Sequence, residues 1–256
     1  YDGLYFADGN PKPKGTPEEI IANGKKMYDA MSKETSEFFN FMLDNQLMDL
    51  VNKENKSGGG YCSMIPNIGA PFIFSNFNGT AHDVDVLTHE AGHAFQCYSS
   101  RHFEMMEYYW PTYEACEIHS MSMEFFAWPW VESFFKEDTA KYKYYHLVKS
   151  LVFLPYGAAV DEFQQTVYEN PDMTPAERKS LWRSLEKKYM PDKEVDEDDY
   201  LERGGFWQRQ AHIYQSPFYY IDYTLAQVCA FQFWIKMQEN YEAAWADYNT
   251  LCKAGG

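Results

Sequence analysis

Two histidines four positions apart, with a glutamate directly after the first, constrain this chain more than any other feature. In His89-Glu90-Ala91-Gly92-His93 the spacing matches a helical turn, so on a helix both imidazoles project from one face and can meet at one point. The apolar residues Leu87, Ala91, Ala94 and Tyr98 recur around the motif at helical spacing. Ahead of them, Thr80-Ala81-His82-Asp83 reads as a capping box. The motif is therefore expected on a helix that begins just after Thr80.

Two imidazoles on one helical face suit a divalent metal, and the H-E-x-x-H spacing is the zincin pattern. Catalytic zinc takes three protein ligands and keeps a further position open, so a third side chain must come from another element. Such an ion lowers the pKa of a bound water to about 7 and polarises a carbonyl. Glu90, beside the first ligand, is placed to take the water proton and pass it to a departing amine. No third histidine follows at metzincin spacing, because Gln96 and Ser99 stand where that pattern needs Gly and His. The remaining choices for the third ligand are Glu104, Glu107, Glu114, Glu117 and Glu124. Asp85, a turn before His89, is either a hydrogen-bond partner for a ligand or a solvated acid.

Elsewhere the pattern is mainly α. Thr16-Pro17-Glu18-Glu19 opens a helix that is expected to run to about Asn40, and the glycine run Gly58-Gly59-Gly60 forms a loop, either a connector or a hinge. Residues 61–65 and 72–77 suit two short strands, a hairpin or sheet edge beside the motif, and the second could offer an open edge to an extended peptide. A helix starts at Thr112 and stops at Trp128-Pro129. Further helices are expected over 142–154, 158–168, from Thr174-Pro175, and from Ser216-Pro217 to Met237, with a break at Gly204-Gly205.

With those elements in place the chain resembles the oligoendopeptidase F branch of the thimet-oligopeptidase-like zinc metallopeptidases. The resemblance rests on Leu87-Thr88-His89-Glu90-Ala91-Gly92-His93-Ala94-Phe95-Gln96, on Glu117 followed by Glu124, and on His212-Ile213-Tyr214 through Phe218-Tyr219-Tyr220-Ile221-Asp222-Tyr223. It implies a mainly α, zincin-like catalytic domain holding one Zn2+ on His89, His93 and Glu117, with Glu114 as the alternative third ligand and Glu124 a helix neighbour. It implies catalytic roles for Glu90 and for His212, Tyr220 and Tyr223, which would contact the substrate or its developing oxyanion; Tyr214 and Tyr219 lie close by. Short unstructured peptides are the implied substrates. The family's complete members carry a large N-terminal helical lobe, so residues 1–256 are expected to form one catalytic domain, a fragment of a longer enzyme.

Composition narrows the partners. With 38 acidic against 22 basic residues the formal charge is -16, a field that repels nucleic-acid phosphates and anionic membranes. The densest acidic run, residues 194–202, reads as a solvated face or loop. Five scattered cysteines form neither a thiolate zinc site nor a disulfide scaffold, and Tyr1-Asp2-Gly3-Leu4 is neither a basic nor an apolar leader, so a cytoplasmic protein with reduced, mostly buried thiols is expected. Two other readings stand beside the peptidase: a catalytically inactive peptide-binding domain of the same fold, and a zinc hydrolase of a non-peptide amide.

Overall fold

The computed structural model describes residues 6–195 and 199–256; the N-terminal segment Tyr1-Asp2-Gly3-Leu4 and residues 196–198 of the acidic run lie outside the described residues. The first helical stretch is two helices rather than one, α1 (Pro17–Met31) and α2 (Lys33–Asp44). Thr16 opens α1 with the expected capping box. The interruption lies at Ser32, whose extended backbone ends α1 while its hydroxyl accepts from the Thr35 amide and the Thr35 hydroxyl accepts from the Ser32 amide. The Thr35 hydroxyl also donates to the Tyr28 carbonyl at 2.8 Å, satisfying an acceptor that the ending helix leaves over. Threonine here does the work usually given to glutamate in a capping box, which is why the sequence pattern passes over the break.

A three-stranded sheet follows: β1 (Met48–Val51), β2 (Tyr61–Ile65) and β3 (Ala70–Phe77), in the order β1-β3-β2. The hairpin of β2 and β3 is antiparallel, pairing Cys62 with Ile73, and Gly69, with φ 60, makes its turn. β1 joins β3 in parallel on the other side, Met48 opposite Ile73. The strand over 72–77 is thus the central one, with both edges occupied, and the open edges belong to β1 and β2. The sequence pattern misses β1 because four residues carry too little alternation to register.

The motif lies on α3 (His82–Ser100), packed against β3 and β2. Its start differs from the expected capping box. Ala81 is the capping residue, the Thr80 hydroxyl donates to Asn78, and the Asp83 carboxylate reaches back to the amides of Asn78 and Gly79 at 2.9 and 2.8 Å. α4 (Tyr113–Phe126) and the short α5 (Glu132–Phe135) come next, then α6 (Thr139–Glu169). α6 is a single helix through Pro155 where two helices were expected. Packing outweighs the proline: its first half buries Tyr142 and His146 in the main core, and its second half buries Ala159, Val160 and Phe163 against Trp182 of α7 (Pro175–Tyr189).

After α8 (Asp199–Glu202) and α9 (Ala211–Gln215) comes α10 (Tyr220–Glu239), which starts later than Ser216-Pro217 predicts. Phe218 adopts a left-handed backbone, φ 66, and its amide donates to the Gln164 side chain of α6 at 2.9 Å, so the helix cannot begin before it. α11 (Tyr241–Ala254) closes the main core, with Trp245 and Tyr248 packed against Phe95 and Phe126. α10 and α3 both pack on α4, which is consequently the central helix of the domain. Among the described residues no helix is long and apolar enough to cross a membrane. All five cysteines are free; Cys97, Cys116 and Cys252 are buried and Cys62 and Cys229 half-buried.

Candidate metal centre and active site

Close approach of α3 and α4 builds the site. Gly92, within the motif, makes it possible: a Cβ there would lie 2.7 Å from both the His119 carbonyl oxygen and the Ser120 Cα on α4. With no side chain in the way, Glu117 reaches the two histidines. Its Oε2 lies 3.2 Å from His89 Nε2 and 3.3 Å from His93 Nε2. Each of the three residues offers a ligand atom, and these atoms lie within 4.8 Å of one another. Among the described residues this is the one such group. Of the other glutamates considered, Glu104, Glu107 and Glu114 are exposed and outside it.

The donor set fits a zinc ion: two imidazole nitrogens and a carboxylate, from two rigid helices, with the histidines half-buried and the carboxylate buried. A second observation agrees. Glu90 is 6 % exposed, and its buried Oε2 has no hydrogen-bond partner in the protein, an orphan that a water at a metal would satisfy. Burial raises the Glu90 pKa above the ordinary carboxylate value, against the opposing pull of His89 and His93. The carboxylate faces the start of β2, where a Cβ on Gly60 would lie 3.4 Å from Oε1. The glycine loop itself is pinned to the sheet, because the Asn76 amide donates to the carbonyls of Ser57 and Gly59, each at 2.9 Å.

Around His89, His93 and Glu117, polar partners fix geometry. Glu124 Oε1 lies 2.7 Å from His89 Nδ1, so the residue expected to be a mere helix neighbour is the hydrogen-bond partner of His89. Asp85, the partner suggested by sequence, instead accepts from the Tyr142 hydroxyl at 2.8 Å and pairs with Lys149 at 3.6 Å. Both partners lie on α6. Ser120 Oγ donates to Glu117 Oε2 at 2.8 Å, and the Tyr219 hydroxyl donates to Glu117 Oε1. Burial works against the charged forms, yet the carboxylates hold the His89 pKa well above its usual value, and the two imidazoles hold Glu117 well below its own. Burial likewise opposes a charged Glu124, but hydrogen bonds from His146 and His89 bring it down to about 2.

The late segment closes over this group. His212 Nε2 lies 3.4 Å from the Tyr223 hydroxyl, and Gln210 donates to His212 Nδ1 at 2.6 Å, leaving the proton on Nε2. Tyr219 and Tyr223 are in ring contact at 5.1 Å, and the Glu117 charge raises the pKa of both phenols further than burial alone does. Tyr220 packs against His212 at 5.1 Å and between Phe153 and Tyr156, each at 5.8 Å. Tyr214 stacks on Trp207 at 5.7 Å. Sequence reading thus overlooked Gly92 and Ser120, and it named Tyr219 only as a neighbour. The small residue inside the motif is the trace that points to helix contact.

The model of peptidase family M3 matches residues 26–256. Among solved structures, the chain is similar to a PZ peptidase A with an inhibitor, at 67% identity and TM-score 0.96, covering 98% of this chain and 45% of that one. It is similar to a protein described as oligoendopeptidase F, at 65% identity and TM-score 0.96 over 98% of this chain and 44% of the other. A further protein described as oligoendopeptidase F, from Bacillus anthracis str. Ames, shows 59% identity and TM-score 0.87 over 98% of this chain and 42% of its own. The chain spans less than half the length of these relatives. No curated protein matches it. On the family match and these identities, the chain belongs to peptidase family M3, in its oligoendopeptidase F branch.

Proposed function

We propose that this chain is the catalytic portion of a zinc-dependent endopeptidase that hydrolyses short unstructured peptides. The observation that carries the reading is the convergence of His89, His93 and Glu117 ligand atoms within 4.8 Å, beside a buried Glu90 whose Oε2 lacks a partner. A zinc ion held by these three side chains would supply Lewis-acid polarisation of the scissile carbonyl and acidify a water.

Glu90 accepts the proton of the attacking water and returns it to the departing amine, and its elevated pKa suits a group that must hold a proton between those steps. His212, through its Nε2 proton, and the Tyr223 hydroxyl donate to the carbonyl oxygen as it gains charge, while Tyr220 lines the same wall. Loss of one such donor typically costs about 2.7–4 kcal/mol in the transition state. An extended peptide adds to the free edge of β2, whose first residue follows Gly60 at Glu90. Backbone pairing of this kind reads no sequence, in keeping with broad specificity.

Assaying a quenched-fluorescence peptide with the native protein, with chelated protein and with Glu90→Gln tests the reading, with zinc content measured in each. Cleavage by the native protein alone, with zinc retained by Glu90→Gln, is expected. Turnover by the variant equal to the native rate would remove Glu90 from the mechanism. Peptide binding without cleavage by any form would support the inactive binding domain, and cleavage of amides other than peptides the alternative hydrolase.

A further inference from the structure

His89 is the near end of a hydrogen-bonded chain that runs away from the cleft into the core. Its Nδ1 meets Glu124 Oε1 at 2.7 Å, Glu124 Oε2 meets His146 Nε2 at 2.6 Å, and His146 Nδ1 receives the Trp128 indole N–H at 3.3 Å. The far end sets the direction of every bond. An indole N–H can only donate, so His146 Nδ1 must be the acceptor and carry no proton. The His146 proton then sits on Nε2 and is given to Glu124. Glu124, accepting at both oxygens, receives the Nδ1 proton of His89, so a neutral His89 keeps its proton on Nδ1 and has Nε2, beside Glu117 and His93, as the atom that can bind a metal.

We propose that Trp128 and His146 are positioning residues for the metal: acting through Glu124, they fix the tautomer and ring orientation of His89. The proposal rests on the reading of His89, His93 and Glu117 as the ligand set. Packing supports it. His146 is 4 % exposed, and its ring is enclosed by Phe125, Trp128 and Tyr142 with centroids at 5.0, 5.7 and 5.8 Å. A ring so enclosed cannot turn to reverse its nitrogens without displacing the core. The Ser150 hydroxyl holds the His146 carbonyl at 2.9 Å, so the backbone there is secured as well. A carboxylate with one free oxygen could rotate and release His89; His146 occupies that second oxygen.

The test has two arms. In the metal-free wild-type protein labelled with 15N-histidine, NMR should show His146 protonated at Nε2 and bare at Nδ1; a proton on Nδ1 would overturn the proposal. This arm needs no variant and no metal, so it stands apart from whether the chain is a zinc peptidase. In the second arm, zinc affinity is measured by competition with a chelator. His146→Phe should weaken zinc about 10–100-fold, Trp128→Phe about tenfold, and His146→Gln, whose amide can still donate to Glu124 and accept from Trp128, should stay within a few-fold of wild type. Folded His146→Phe and Trp128→Phe proteins that hold zinc like wild type would refute the positioning role. A wild-type protein that binds no zinc would instead refute the proposed function while leaving the NMR result readable.

Discussion

Glu90 places a carboxyl group where burial penalises its charged form and no protein group hydrogen-bonds its Oε2. An unmet buried polar atom costs about 1–3 kcal/mol, and at this one, beside the two histidines, a water at a metal would meet the need. Glu90→Gln should therefore lower the peptidase rate by at least about a hundredfold while zinc content is unchanged. The same residue leaves a mark on stability. A carboxyl whose folded pKa is raised stabilises the fold below its unfolded value, and that contribution disappears as pH rises through the folded one. In metal-free protein, chemical denaturation should show Glu90→Gln gaining stability relative to wild type as pH rises from acid to neutral. Glu124 has the opposite sign. Held down to about 2 from an ordinary 4.5, it stabilises above the ordinary value and loses that contribution as pH falls towards about 2. Glu124→Gln should cost most at neutral pH and least at the acid end, and a pH-independent cost would contradict the assignment.

At the scale of elements, the contact of α3 with α4 decides whether a ligand set exists at all. Gly92→Ala would force a methyl to within 2.7 Å of the α4 backbone, so the helices must separate. The variant should lose about 1–3 kcal/mol of stability and zinc affinity with it, although no ligand is touched. Ser32→Ala provides a contrast: losing the cap of α2 should cost about 1 kcal/mol in thermal or chemical unfolding and leave zinc affinity alone. The same elements show what the sequence could and could not convey. His89, Glu90 and His93 are readable because their relation is local, fixed by the pitch of one helix. Glu117 required the family resemblance, because several glutamates stood at plausible distances along the chain. Glu124, expected as a helix neighbour, is the partner of His89, and Asp85, expected as a partner of a ligand or a solvated acid, is a buried partner of Tyr142 and Lys149. Asp85 is near His89 in sequence but points to α6, whereas Glu124 arrives from another helix, and no pattern within α3 encodes that. The break at Ser32 is local, a cap that Ser32 and Thr35 build with threonine where glutamate is usual. The continuity through Pro155 and the late start of α10 are each set by tertiary partners, the two cores and Gln164, that local propensity does not see.

On the scale of the whole molecule, α3, α4 and the start of α10 surround the His89, His93 and Glu117 side chains, and the sheet brings its free β2 edge to the same place. The chain's family and its identity to solved relatives agree with that arrangement, and the chain spans under half of each relative's length. Ligand linkage gives a bulk test. Free zinc at about 100 times its dissociation constant should stabilise the fold by about 2.7 kcal/mol, and Glu117→Ala should abolish the gain. The most direct measurement is anomalous X-ray diffraction at the zinc edge from crystals of the protein grown with zinc. One peak is expected, within about 2.0–2.2 Å of His89 Nε2, His93 Nε2 and a Glu117 carboxylate oxygen. A structure in which zinc binds elsewhere, or leaves any of those three side chains uncoordinated, would contradict the account.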